Sequence, residues 1–369
     1  MTQTKDKSRL VLILLLASLI LIAVANLFFS YEDLSISQMI EVFRYKIGAY
    51  DNIDDFSSID FKTPNAIDEA DKWFHLDSLN NILFNLRFPS IILCILVGLG
   101  LGSSGAILQG LFRNPLVDPG FIGVSSGAGV GAILGIMFGG FFDLYFPEYL
   151  EPFLISILAI SGSFLTTIIV YKMSKVYSKT NIMVMLLSGI AINALAGSII
   201  GLLISISSDE EMRMFTFWGM GNLESKNWIQ VAISSVLILS SFFMVLKNKK
   251  KLDIFMLGDA EAYQLGLNVE YLKKEIIVIA SVMVGISVAF CGMIGFIGLV
   301  TPHLIRLLIG PKHNYLIPCS ALLGAILILL SELFSKKMGI PIGVITSAIG
   351  APFFIWLIFA QKGRIGYSE

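Results

Sequence analysis

About ten apolar stretches run through this 369-residue chain, and they leave it very few folds. Hydrocarbon offers no partner to a backbone N–H or C=O, so each stretch must satisfy its own hydrogen bonds as helix. Roughly 20 residues of helix cross a bilayer core of about 30 Å. The stretches lie near residues 10–29, 90–111, 121–141, 153–171, 182–206, 229–246, 276–293, 295–310, 315–334 and 340–361. Charged residues make up 14% of the chain, against about 25% in a soluble domain. The reading is an all-α polytopic membrane protein with about ten transmembrane helices, a single transmembrane domain over 1–369.

Charge orients the set. With the N-terminus in the cytoplasm, inner segments collect 17 of the 26 Lys and Arg, and the outer ones hold most of the acids. Basic bias is the determinant of topology, so both termini are expected inside. Lys5, Lys7 and Arg9, an apolar core and Ala23-Val24-Ala25 also have the layout of a cleavable leader. Apolarity that continues through Leu27-Phe28-Phe29 favours a retained span. Two polar islands remain. Residues 30–86 form an extracytoplasmic loop insertion, acidic over 51–71, with short helical pieces. Residues 247–275 form a cytoplasmic loop that opens with KNKKK. Within it Gly258-Asp259 starts, and Gly266 ends, a short helix over 260–265, a handle for another protein. Cys94, Cys291 and Cys319 fall inside spans as apolar packers, and His75, His303 and His313 are too scattered for a metal site. No cofactor is expected.

Two glycine-rich segments repeat a pattern. GAILQGLFRNPLVDPGFIGVSSG (105–127) and GMIGFIGLVTPHLIR (292–306) align at an offset of 187, matching Gly105 to Gly292 and Pro115 to Pro302. Each puts a proline where a membrane helix should end. Interrupted apolar segments in corresponding halves point to a transporter of two inverted repeats. Its energy source is not in the chain, which has no phosphate-binding loop of the form GxxxxGK[ST]. Asp118, Arg113, Arg306 and Glu332 sit near span ends and not mid-membrane, which disfavours an ion-coupled carrier. No GxGD pair, Ser/His constellation or HExxH favours a membrane enzyme. A pore-forming subunit driven by a separate ATPase fits best.

LRFPS (86–90), SGAILQGLFRNPLVDPGFIGVSSGAG (104–129), LGDAEAYQLGL (257–267), GMIGFIGLVTPHLIRL (292–307) and IPIGVITSAIGAPFFIWLI (340–358) together resemble the FecCD-type permease family. These are membrane subunits of binding-protein-dependent ABC importers for iron–siderophore, haem and cobalamin. The resemblance covers residues from about 80 to 360, in the family's order. It implies a permease in the bacterial cytoplasmic membrane, paired with a second, identical permease subunit. It further implies two cytoplasmic ABC ATPase subunits, an extracytoplasmic binding protein, and an iron complex as cargo, with cobalamin the alternative.

Residue by residue, the resemblance implies four sites. Asn114-Pro115-Leu116 corresponds to the inner gate, with Pro115 ending the helix, Asn114 bonding freed carbonyls and Leu116 as plug. Gly258, Asp259, Ala260, Glu261, Ala262, Leu265 and Gly266 correspond to the ATPase-coupling segment, with Ala260, Ala262 and Leu265 as its apolar face. Arg87 and Lys336 correspond to binding-protein docking positions; Ser90 stands where relatives often carry a second Arg, and Lys337 is the substitute. Gly295, Gly298, Thr301, Pro302, His303 and Arg306 form a family motif with a structural reading. Gly98, Gly102, Gly105, Gly285, Gly292, Gly295 and Gly298 read as close-packing positions. Residues 46–78 exceed the family's usual outer loop. Lys179, Thr180, Asn181 and Met183 match its second gate too loosely to assign.

Overall fold

A computed structural model describes residues 2–29, 34–46, 66–139, 147, 150–224 and 226–365. It is helical almost throughout. The elements are α1 (Thr2–Phe28), α2 (Ile36–Lys46), α3 (Ala66–Asn80), a π-helical turn (Asn81–Arg87), α4 (Phe88–Leu111), a 3-10 turn (Pro119–Ile122) and α5 (Val124–Met137). Then come α6 (Leu154–Met173), a hairpin of β1 (Lys175–Val176) and β2 (Lys179–Thr180), α7 (Ile182–Ile206), α8 (Asp209–Gly219) and α9 (Trp228–Phe255). The chain closes with α10 (Asp259–Gln264), α11 (Val269–Cys291), α12 (Ile297–Ile309), α13 (His313–Met338) and α14 (Ile342–Ile365). Seven of these are long and apolar enough to span a bilayer, and Val124–Met137, Ile297–Ile309 and Ile342–Trp356 are shorter apolar helices. The polytopic all-α reading holds.

α4 and α11 form the axis. Most of each is buried inside the protein, whereas little of α1 and α7 is fully buried. Lipid tails are as apolar as leucine, so helices associate here through close packing and buried polar contacts. Gly98, Gly102 and Gly105 put bare backbone on one face of α4. A Cβ at Gly98 would run into Ala325, one at Gly102 into the Ser320 carbonyl and one at Gly105 into the backbone of Gly298. α13 and α12 therefore lie directly against α4.

Polar contacts finish the work. Ser90 Oγ, at the start of α4, lies 2.7 Å from Glu332 Oε1 and 2.9 Å from the Leu223 carbonyl. The Glu332 carboxylate also pairs with Lys336 one turn on, and both side chains are buried. Asn26 donates from α1 to the Leu329 carbonyl of α13 at 3.4 Å.

Three local structures differ from the sequence reading, and one acidic run takes a form that reading left open. The helix that holds the second apolar stretch begins well before residue 90: α3, the π turn and α4 form one helical run through Leu111. The basic cluster Lys247–Lys251 is not loop but the last turns of α9, which continues to Phe255 because nothing in KNKKKLDIF breaks a helix. Asp209, Glu210 and Glu211 form the first turn of α8, started by a capping box in which Ser208 and Glu211 satisfy each other's backbone N–H groups. Pro302 lies inside α12, within its first two turns, and ends no helix.

The two aligned motifs also take different local structures. Gly105 is inside α4, whereas Gly292 ends α11 at φ 78°, where the Trp218 carbonyl leaves no room for a Cβ. What joins them is contact, Gly105 against Gly298. Gly295, read as a packing position, has open space where its Cβ would be.

Candidate functional site: a charged junction at the basic end of the bundle

The site begins where α4 stops. Asn114 N–H bonds the Gln109 carbonyl at 3.1 Å and Arg113 N–H the Gly110 carbonyl at 3.2 Å, a Schellman ending. Such an ending needs a left-handed residue, usually glycine, yet here it is Arg113 at φ 50°. A non-glycine residue in that conformation costs about 1–2 kcal/mol. The helix thus ends at Leu111, four residues before Pro115, and Arg113 turns the chain where Pro115 was expected to. Asn114 meets the freed carbonyls through its backbone N–H, while its Oδ1 accepts from Leu116 N at 3.0 Å. Asn114 and Pro115 are exposed and Leu116 is half-buried.

Arg113 reaches across to the end of α9. Its Nη2 lies 2.8 Å and its Nε 3.2 Å from the Phe255 carbonyl, and its guanidinium stacks 4.2 Å above the Phe255 ring. The same Nη2 lies 2.5 Å from Asp259 Oδ1, on the first residue of α10. Asp259 Oδ2 accepts from Lys273 Nζ at 2.8 Å. Lys273, on the first turns of α11, is buried and also donates to the Thr180 carbonyl at 2.9 Å and Glu270 Oε1 at 3.3 Å. An ammonium has three N–H donors, and these three acceptors use them all. Glu270 Oε2 in turn accepts from Thr180 N at 2.8 Å. Asn181 then caps α7, accepting from Met183 N at 3.0 Å and Val184 N at 3.1 Å. One carboxylate therefore touches the end of α4, the start of α11 and, through Lys273, the hairpin before α7.

Burial pushes the Asp259 carboxyl upward, but the hydrogen bonds and charges of Lys273 and Arg113 outweigh it and hold it below the ordinary carboxylate range. A depressed native pKa contributes stability above the unfolded pKa, and this is lost as pH falls through the native one. We expect Asp259→Asn to melt below wild type at neutral pH, with the gap closing as the buffer is acidified below about pH 4. A gap that persists unchanged in acid would remove the charge from this account.

α10 is as short as the sequence implies, closed by Gly266 at φ 81°. Its faces differ from the expectation. Ala262 is wholly buried against the bundle, while Ala260 and Leu265 are exposed, because positions 260 and 262 fall on nearly opposite sides of a helix. Exposed apolar groups on and beside α10 include Met256, Leu257, Tyr263 and Leu265. Beside them lies a groove of about 830 Å³ lined by Lys179, Asp259, Tyr263, Gly266 and Glu270 among others. Glu261, on the same helix, is exposed.

The remaining sequence candidates lie elsewhere. Arg87 is buried in the π turn, donating to the Leu27 carbonyl, and Lys336 is buried in its pair with Glu332. Both charges are thus held inside the subunit and not on an open face, since the α13 acid and the end of α1 stand next to them. Lys337 is exposed, with its ammonium 5.0 Å from the Phe29 ring centroid. In α12, Thr301 Oγ1 donates to the Ile297 carbonyl at 2.8 Å, His303 packs against Phe353 at 6.2 Å between ring centroids, and Arg306 Nη1 donates to Gln109 Oε1 at 2.9 Å. Gly298 meets the Pro119 ring, and Gly295 starts the bend into α12.

The hairpin is what the sequence reading missed. Its two central residues, Tyr177 and Ser178, both have positive φ, as a type I′ turn requires. Asn-Gly would have announced it; Tyr-Ser does not. The nearest signal was Glu270 and Lys273, one helical turn apart at the start of α11.

Comparison with known proteins agrees with this architecture. The model of the FecCD transport family matches residues 14–360. The hemin transport system permease protein HmuU of Yersinia pestis is 40% identical over 292 residues, 78% of this chain and 85% of the relative. The cobalamin import system permease protein BtuC of Halobacterium salinarum is 34% identical over 285 residues, 77% of this chain and 74% of the relative. A solved structure, described as an inward-facing conformation of a metal-chelate type ABC transporter, superposes with a TM-score of 0.75 at 30% identity. That match covers 95% of this chain and 98% of the other. The chain belongs to the FecCD transport family, and it is an ABC-type permease subunit.

Proposed function

We propose that this permease imports an iron complex, a ferric siderophore or haem, across the cytoplasmic membrane as half of a permease pair. Two cytoplasmic ABC ATPase subunits drive it, and an extracytoplasmic binding protein delivers the cargo. The observation that carries the reading is the exposed α10 segment. Met256, Leu257, Tyr263 and Leu265 present apolar surface at the end of the bundle that is richest in Lys and Arg, beside the groove. The segment 258–266 is the ATPase contact, and Asn114-Pro115-Leu116, one residue beyond Arg113, is the inner gate. Both termini are cytoplasmic. Lys337 carries binding-protein docking in place of the buried Arg87 and Lys336. The exposed face of α7, with open space at Gly197 and Gly201, faces the second subunit and the cargo path.

The 40% identity to a hemin permease favours an iron complex, and 34% identity to cobalamin permeases keeps cobalamin as the alternative. The test is uptake into liposomes that hold the permease with its ATPase, with binding protein and ATP supplied. Haem, a ferric siderophore and cobalamin are compared as cargo. ATP-dependent uptake of an iron complex supports the reading. Uptake by the permease alone, under an ion gradient, overturns it.

A second expectation concerns Gly266. Its φ of 81° disfavours a β-branched residue, but nothing lies within 4 Å of where a Cβ would stand. Gly266→Val should leave the subunit folded while distorting the turn after α10. We expect cargo imported per ATP hydrolysed to fall about tenfold, within the range of coupling free energies in proteins. An unchanged ratio would remove the coupling role from 258–266.

A further inference from the structure

We propose that Arg113 and Asp259 form an ionic strap that makes the loop after α4 and the α10 segment move as one body. The inference rests on the ATPase-contact and gate assignments above, and it names the residues that join them.

Three observations point the same way. Arginine occupies the one left-handed position of the α4 ending, where glycine is the ordinary choice. Something other than backbone geometry therefore favours a side chain there. That side chain is committed to a single neighbour: the Phe255 carbonyl, the Phe255 ring and Asp259 Oδ1 all belong to the α9–α10 turn. The far oxygen of the same carboxylate is held by Lys273, whose three donors are all used. A buried ammonium that loses one of its two carboxylate partners is less well compensated, so this arrangement is favoured over displaced ones. Charge-assisted bonds of this kind are short and directional.

The consequence is mechanical. Displacement of α10 carries Asp259 with it. Arg113 must follow, and Arg113 directly precedes Asn114-Pro115-Leu116. Lys273, Glu270 and Thr180 bring the hairpin along, and with it the cap of α7 at Asn181. A single carboxylate thus transmits one motion to two loops.

Arg113→Gly is the decisive variant, because glycine suits the left-handed backbone and so offsets part of the cost of the lost Phe255 and Asp259 contacts, leaving a subunit that still folds. Asp259→Asn and the double variant complete a cycle. All are assayed as the full complex in liposomes, with binding protein, recording cargo imported per ATP hydrolysed. We expect each single variant to lower that ratio about tenfold and the double variant to be no worse than either, as for two partners in one interaction. An unchanged ratio in Arg113→Gly overturns the strap, as does a double loss equal to the product of the single losses. A reduced melting temperature with a normal ratio also overturns it, leaving a structural contact only. If the wild-type complex shows no ATP-driven uptake, the functional reading fails first, and the strap falls with it.

Discussion

Glu332→Ala is expected to destabilise the folded subunit by about 3–5 kcal/mol, the usual cost of removing one partner from a buried ion pair. Glu332 lies in the second-last turn of α13, fully buried, with Lys336 and Ser90 on the same carboxylate oxygen. Truncation leaves the Lys336 ammonium buried, and the Ser90 hydroxyl keeps only the Leu223 carbonyl. The loss belongs to the stranded lysine more than to the pair itself. Glu332→Leu combined with Lys336→Met, which removes both charges and keeps the volume, should therefore recover most of it. Melting of detergent-solubilised protein followed by size-exclusion profile measures both variants. Equal stability of wild type and Glu332→Ala would show that this cluster does not hold α4 to α13.

Gly105→Val should be comparably severe for a different reason. The added Cβ points straight at the Gly298 carbonyl, backbone against backbone, so no side-chain rotation can relieve the clash. α4 and α12 would have to separate, and overpacking of a rigid contact costs about 3 kcal/mol or more. Gly201→Ala on α7 is the comparison: nothing in the single subunit lies within 4 Å of its Cβ, and alanine's better helix propensity should hold or raise subunit stability by up to about 1 kcal/mol. Monodisperse, wild-type-like Gly105→Val protein would mean that the α4–α12 contact is looser than described.

The legible part of this molecule was the part set by local chemistry. Apolar length marked the spans, and Gly258 and Gly266 marked α10 because chain reversal at both its ends uses positive φ. Gly98, Gly102 and Gly105 were readable as a packing face because their spacing alone puts them on one side of a helix. Tertiary facts were not legible. Arg87 and Lys336 looked like surface charges, since sequence carries no sign that the end of α1 and Glu332 stand beside them. Pro115 looked like the helix terminator, yet Arg113 turns the chain first, and only its partners on α9 and α10 explain an arginine there. Lys273 carries no mark in the sequence beyond its charge. Its three acceptors come from a hairpin, a short helix and its own helix, which no linear pattern brings together.

The π turn at Asn81–Arg87 joins α3 to α4 without a break in the helical run. Helix runs from Phe74 to Leu111, 38 residues in all, with polar residues such as Asp77, Asn81 and Asn85 near its start and an apolar stretch after them. At 1.5 Å per residue that is a rod of roughly 57 Å, longer than a bilayer core is thick. Any bend in this long run is therefore expected at Asn81–Arg87, which places Arg87 and its bond to the Leu27 carbonyl at the one departure from α-helical geometry between Ala66 and Leu111.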